Sequence, residues 1–308
     1  MNDGFKGQAL LIVDDSPTVR RGIRIALEPS ALFNEYVEAK DGLEALRILN
    51  QRPIDVILCD VEMPGLDGFK FLDLMKGTPE YRGIPVILLT GLENVEKKIA
   101  GLERGASDYV TKPFDKGELI ARVRVQLKLK MLQDQLRIAS ITDFLTKQFN
   151  RRHFMEVLQS EFDRALRYSN PLSFVILDID HFKKINDSHG HLQGDRVLVD
   201  VSALVRSSVR SHDVVARYGG EEFVILLPQI DEAGATAVAE KVRRIVAETA
   251  FSGMDGQSVT ISLGLVTFPG KDPSGKLTVD ALIHSADDAL YRAKEGGRNR
   301  LEIGKLTL

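Results

Sequence analysis

Arg217-Tyr218-Gly219-Gly220-Glu221-Glu222-Phe223 joins two apolar stretches, Asp213 to Ala216 and Phe223 to Leu227. Short apolar runs separated by a glycine-containing link are expected to pair as strands, which places Glu221 and Glu222 at the tip of a β-hairpin. Paired glycines supply the positive φ values of a tight turn, so left-handed backbone is expected at Gly219 and Gly220. Upstream, the apolar run Phe174 to Leu177 ends in Asp178-Ile179-Asp180. A strand there, lying beside the hairpin, would bring a further carboxylate to the same sheet edge. Carboxylates gathered at an edge suit a divalent cation or a polyphosphate that carries one.

The chain has 308 residues, enough for two domains that each bury a core. Its 41 Lys and Arg stand against 44 Asp and Glu. That balance argues against a general nucleic-acid or membrane-surface binder. The N-terminus runs Met1-Asn2-Asp3-Gly4-Phe5-Lys6-Gly7 into the apolar Ala9 to Val13, which stops at Asp14 and Asp15. This is neither a signal peptide nor a spanning helix, so no membrane insertion and a cytoplasmic location are expected. The single cysteine, Cys59, follows Val56 to Leu58 and is expected to pack in a core.

From residue 8 to about 115, apolar runs alternate with amphipathic stretches: Ala9 to Val13, Tyr36 to Ala39, Val56 to Cys59, Val86 to Leu89 and Asp108 to Val110. This alternation predicts a five-stranded, doubly wound parallel α/β sheet. In such sheets the carboxyl ends of the strands share one crevice, and Asp14, Asp15, Asp60, Thr90 and Lys112 all occupy such ends. Three clustered carboxylates repel one another unless a divalent cation neutralises them, and the same cation screens an incoming phosphate.

These residues resemble the receiver domain of two-component response regulators, over Ala9 to about Leu127. The resemblance implies that Asp60 accepts the phosphoryl group, and that Asp14, Asp15, Asp60 and the carbonyl of Glu62 hold Mg²⁺. It implies that Thr90 hydrogen-bonds the phosphoryl group, that Lys112 pairs with its charge, and that the Tyr109 rotamer reports phosphorylation. Met63-Pro64-Gly65 fits the pattern, and Lys112-Pro113 would be a cis peptide. A cognate histidine kinase is the expected partner.

Asp115 and Glu118 form a capping pair at the start of a proline-free stretch. One helix from Lys116 to Ser140, about 25 residues, would span roughly 37 Å. Val125, Leu129, Leu132, Leu136 and Ala139 follow steps of four and three, the seam of a coiled coil, and predict a dimer. Ile120, Val123 and Leu127 lie on another stripe, expected to pack on the receiver. The expected domains are a receiver at 1–115 with its last helix starting near 116, a helical stalk at 116–140, and a second domain at 141–308.

In that second domain, strand-like runs at Leu172 to Leu177, Val214 to Tyr218, Phe223 to Leu227 and Val259 to Phe268 alternate with helical stretches near 151–168, 194–209, 232–250 and 279–295. The order predicts a sheet with helices on one face. Together with the Gly-Gly-Glu-Glu-Phe signature and Asp178-Ile179-Asp180, the domain resembles the GGDEF diguanylate cyclases. The resemblance implies a ferredoxin-like, palm-type fold that joins two GTP into cyclic di-GMP and releases two pyrophosphates. It assigns Asp178, the carbonyl of Ile179 and Glu221 to divalent ions, Mg²⁺ or Mn²⁺, with Glu222 as the second acid of the signature. Lys183, Lys294 and Arg298 match the basic residues on the triphosphate, and Gly219 and Gly220 the glycines beside it. Asn186 and Asp195 match the pair that reads guanine; an amide and a carboxylate together suit its donor and acceptor edge. Arg210 and Asp213 match an inhibitory site for the product, cyclic di-GMP. His181, His189 and His191 form no ligand spacing and are expected in loops or packing. One departure stands out: in Asp143-Phe144-Leu145-Thr146-Lys147, Lys147 replaces the usual glycine of the family.

Overall fold

The computed structural model describes residues 7–91, 95–254, 256–272 and 275–306. The chain divides into two compact units, Met1–Leu136 and Arg137–Leu308. In the first, elements alternate: β1 (Ala9–Val13), α1 (Pro17–Leu27), β2 (Glu35–Ala39), α2 (Gly42–Leu49), β3 (Val56–Asp60), α3 (Gly68–Gly77), β4 (Val86–Gly91), α4 (Val95–Glu103) and β5 (Asp108–Lys112). The strands pair in parallel in the order β2-β1-β3-β4-β5. Successive residues of β1 and β3 enter opposite cores. Leu11, Val13, Ile57 and Cys59 pack with Phe71, Leu72 and Met75 of α3. Leu10, Ile12, Val56 and Leu58 pack with Ile23 and Leu27 of α1 and with Leu119, Val123 and Leu127. Because both faces are covered, these strands read as continuous apolar runs that end where the backbone reaches the crevice.

Helix starts follow capping chemistry. Asp41 accepts from the Glu44 N–H at 2.8 Å, Asp67 from the Lys70 N–H at 2.8 Å, and Asp115 from the Glu118 N–H at 2.9 Å. The last of these opens α5 (Lys116–Ile141), a helix of 26 residues. Ile120, Val123 and Leu127 pack into the receiver core as their stripe predicts. Among the described residues no helix is long and apolar enough to cross a membrane.

The second unit contains β6 (Phe149–Asn150), α6 (Arg151–Tyr168), β7 (Leu172–Ile179), α7 (Phe182–His189), α8 (His191–Ser208), β8 (Val214–Arg217), β9 (Glu222–Pro228), α9 (Glu232–Glu248), β10 (Ile261–Phe268), α10 (Val279–Glu295) and β11 (Leu301–Ile303). The sheet order is β11-β10-β7-β9-β8-β6, with β7 central and antiparallel to both β9 and β10. Helices cover both faces, not the single face that element order predicts. Val175, Leu177 and Ile179 pack with Val197 and Val201 of α8 and Val242 and Val246 of α9. Leu172, Phe174 and Ile176 pack with Phe154 and Phe162 of α6 and Leu282, Ala286 and Leu290 of α10. The physical reason is visible in β7, which is buried at every position and so needs a helical layer on each side.

Candidate active site and phosphoryl-acceptor site

The signature hairpin forms as its pattern predicts, with β8 and β9 antiparallel from Val214↔Leu226 to Arg217↔Phe223. The Tyr218 and Gly219 N–H groups donate to the Glu222 carbonyl at 2.8 and 3.4 Å. The glycines act differently from expectation: neither Gly219 nor Gly220 has a positive φ. Four residues link the strands, long enough to turn without left-handed backbone. Gly219 is instead a close approach, where a Cβ would lie 2.9 Å from Glu222 Oε2. The Gly220 carbonyl accepts from Arg217 Nη2 at 2.7 Å and Nε at 3.1 Å. Arg217 Nη1 reaches Asp143 Oδ1 at 3.1 Å.

Strand pairing brings the acids together. Asp178 lies opposite Glu222 in the β7–β9 ladder, and the Ile179 N–H donates to the Glu221 carbonyl at 3.4 Å. Alternation along β7 and β9 puts Asp178 and Glu222 on the face covered by α10, where Lys294 Nζ lies 2.8 Å from Asp178 Oδ2. Burial pushes the Asp178 carboxyl up to about 6; Lys294 pulls it back and the charges of Glu221 and Glu222 push it further up. A buried carboxylate that feels two other negative charges against one ammonium is under-neutralised, a charge imbalance that a divalent cation relieves. Among the described residues, however, only Asp14, Asp15 and Asp60 bring three ligand oxygens within 4.8 Å of one another.

The remaining predicted residues come from three places in the second unit: α7, α8 and the turn after α10. Lys183, on α7, is exposed. Asn186 sits where α7 meets α8: a Cβ on Gly194 would come within 1.9 Å of its Oδ1, so only glycine admits that side chain. Asp195, one residue on, is exposed and lines a cavity of about 410 Å³ with Leu145, Arg196, Val199, Asp200 and Ser252. Asn186 does not line it, and Leu145 was not singled out by sequence reasoning. Its apolar side chain next to the Asp143 turn carries no chemical signal of its own. Arg298 follows α10 with φ 61°, and its N–H donates to the Ala293 carbonyl at 3.0 Å. Asp180 does not join the acidic edge; it is buried and bonded to Thr260, Ser262 and Asn299.

Arg210 and Asp213 adjoin through the backbone. Asp213, 2 % exposed, accepts the Arg210 N–H at 2.8 Å on Oδ2. Arg206 donates to the carbonyls of Asp213, at 2.7 Å, and of Arg210. Asp213 Oδ1 is buried without a hydrogen-bond partner. The Arg210 side chain is exposed and borders a cavity of about 360 Å³ with Gln229, Ile230 and Asp231.

At the crevice of the first unit, ligand oxygens of Asp14, Asp15 and Asp60 lie within 4.8 Å of one another. Lys112 Nζ reaches Asp14 Oδ2 at 2.6 Å and Asp60 Oδ2 at 2.9 Å. Burial raises Asp60, against the pull of Lys112, and the Asp14 charge raises it further. Burial alone would lower the Lys112 ammonium, but its bonds to Asp14 and Asp60 prevail and raise it. Thr90 is buried with its hydroxyl unpartnered. The Tyr109 ring stacks under the Arg122 guanidinium at 5.4 Å, and Lys112-Pro113 is cis. Glu62 is exposed beside Asp60, and Met63 is buried. Three carboxylates against one ammonium, with an orphaned hydroxyl alongside, fit a divalent cation and a tetrahedral anion.

The two units thus define a class: a three-carboxylate crevice on a parallel sheet followed by an acidic edge on a mostly antiparallel one. Residues 10–124 match the response regulator receiver domain, and residues 140–300 match the diguanylate cyclase GGDEF domain. The chain belongs to the GGDEF family and is a diguanylate cyclase with a receiver domain. It is 34% identical to the response regulator PleD of Caulobacter vibrioides over 313 residues, covering 98% of this chain and 67% of PleD. It is 41% identical over 168 residues to the diguanylate cyclase DosC of Escherichia coli, covering 54% of this chain and 35% of DosC. Among solved structures, the coiled coil and GGDEF domain of DgcB from Caulobacter crescentus, in complex with c-di-GMP, superposes with a TM-score of 0.56 at 27% identity. That match covers 61% of this chain and 98% of that one.

Proposed function

We propose that this diguanylate cyclase is switched on by phosphorylation of Asp60, acts as a homodimer with Mg²⁺ or Mn²⁺, and is inhibited by its product. The observation that carries the catalytic reading is the meeting of Asp178, Glu221 and Glu222 with Lys294 at one sheet edge. Asp178, the Ile179 carbonyl and Glu221 would hold the divalent ion, which when bound neutralises triphosphate charge and activates the attacking alcohol. Lys183, Lys294 and Arg298 bind the triphosphate, while Asn186 and Asp195 read guanine, Asp195 from the cavity it shares with Leu145. In each half-reaction a 3′-hydroxyl attacks the α-phosphate of a second GTP, loses its proton, and displaces pyrophosphate. Two rounds close the cyclic di-GMP ring.

One catalytic domain holds one GTP, so two must face each other about a two-fold axis. Val125, Leu129, Leu132 and Leu136 support a stalk-mediated dimer, all being exposed, Leu136 at 71 %. We place the receiver at 1–115, the stalk at 116–140 and the catalytic domain at 141–308; the division after Leu136 falls within that stalk. In the receiver, Asp14, Asp15, Asp60 and the Glu62 carbonyl hold Mg²⁺, with Thr90, Tyr109 and Lys112 as the switch and a histidine kinase as phosphoryl source. Arg210 and Asp213 form the product site, with Asp213 shaping the turn that presents the Arg210 side chain.

The test is incubation with GTP and Mg²⁺, with and without beryllofluoride, followed by product identification. Cyclic di-GMP formed faster with beryllofluoride is the expected result. Equal rates would remove the receiver as the input.

A further inference from the structure

The turn after α10 passes through three successive left-handed residues: Gly297 at φ 111°, Arg298 at 61° and Asn299 at 46°. Residues other than glycine hold that backbone where their surroundings over-determine it. Two clamps meet at Asn299. From inside, Asp180 Oδ2 accepts the Asn299 N–H at 3.0 Å. Asp180 is 5 % exposed and is itself fixed by Thr260 Oγ1 on Oδ2 at 2.7 Å and Ser262 Oγ on Oδ1 at 2.6 Å. Its own N–H donates to the Thr260 carbonyl at 2.9 Å. From outside, Arg243 Nη1 donates to Asn299 Oδ1 at 2.9 Å, with Arg243 oriented by Glu240 at 2.9 Å.

A buried carboxylate with three of its about four lone-pair sites committed to protein donors is a poor metal ligand, although it lies two residues from Asp178. We propose that Asp180 and Arg243 are positioning residues that hold the 297–299 turn, so that Arg298 is presented to the GTP triphosphate. Neither touches substrate. The inference rests on the reading of Arg298 as a triphosphate contact. It separates the two acids of Asp178-Ile179-Asp180: the first serves the reacting edge and the second serves the backbone that carries a basic side chain to it.

The experiment measures KM for GTP and kcat in the full chain for R298A, D180A, D180N, R243M and the doubles D180A/R298A and R243M/R298A. Loss of a charge-assisted phosphate contact is expected to raise KM about tenfold in R298A. D180A should match it. D180N should stay within about threefold, because an amide oxygen can take the place of Oδ2 and the amide N–H can donate to Ser262 Oγ. R243M should raise KM by about threefold, since the inner clamp remains. Each double should be no worse than R298A alone, because nothing is left to position. Defects that multiply in the doubles, or a D180N as impaired as D180A, would overturn the positioning role. So would a raised KM in R298A with unchanged KM in D180A and R243M. An unchanged KM in R298A would instead fail the triphosphate reading and take the proposal with it. Arg243 is only partly buried on α9, so R243M carries the same test if D180A does not fold.

Discussion

Asp178 carries the most informative ionisation in the catalytic unit. Its carboxyl is pushed up to about 6 by burial, opposed by Lys294 and reinforced by Glu221 and Glu222. A raised carboxyl pKa favours the protonated folded state, so in the metal-free protein this group's stabilisation is present at low pH. It is lost as pH rises through about 6. A divalent cation needs the ionised form, so its binding runs the other way. Thermal stabilisation by Mg²⁺ should therefore be larger well above pH 6 than well below it, and D178N should flatten that difference. Equal stabilisation at both would remove Asp178 from the cation site. For Glu221→Gln, cyclase activity should fall by at least about a hundredfold with the fold intact, since oriented charge supplies much of phosphoryl-transfer catalysis. Near-wild-type turnover of the folded variant would refute that role.

At the scale of elements, the turn after α5 explains the departure at Lys147. Its φ is 59°, the left-handed region that glycine enters freely, and its N–H donates to the Asp143 carbonyl at 3.0 Å. Lys147 Nζ partly offsets the strain by reaching the Phe144 carbonyl at 2.6 Å. Asp143 also accepts from Thr146 N, Thr146 Oγ1 and Arg217. Burial would raise the Asp143 carboxyl, but these donors hold it below the usual range. A β-branched residue tolerates this backbone worst. Lys147→Val should destabilise the catalytic unit by about 1–2 kcal/mol, whereas Lys147→Gly should change it by less than about 1 kcal/mol. Urea unfolding of that unit checks both. A harmless valine would mean the turn relaxes away from left-handed backbone. The oddity at Lys147 was legible in the sequence, but its backbone cause was not, because φ follows from how the turn closes on Asp143.

For the whole molecule, the proposed seam on α5 and the proposed acceptor role of Asp60 make separable predictions. Replacing Leu132 and Leu136 by Glu places four like charges in the proposed dimer seam, which a short coiled coil does not withstand. Activity should collapse while each monomer stays folded, because a lone domain lacks a second α-phosphate within reach. Sedimentation and activity measured across protein concentration decide it, and a strictly monomeric variant with full specific activity would refute the dimer mechanism. Asp60→Asn cannot form an acyl phosphate, so its basal activity should survive and its response to beryllofluoride should vanish. A retained response would place the input elsewhere.

The parallel receiver sheet, the signature hairpin and the strand-end positions of the acids were legible in the chain alone, because these follow from local patterning. Apolar runs ending in Asp14 and Asp60, or a hairpin tip at Glu221, are written within a few consecutive residues. Three-dimensional packing set the second helical layer on β7, the close approach at Gly219 and the cavity joining Leu145 to Asp195. It also decided that Asp180 serves Asn299, 119 residues away, rather than the acidic edge beside it. Partners so far apart leave no periodicity or motif in the chain. Their meeting is set by strand order and by the packing of α10 against the sheet, which no local stretch encodes.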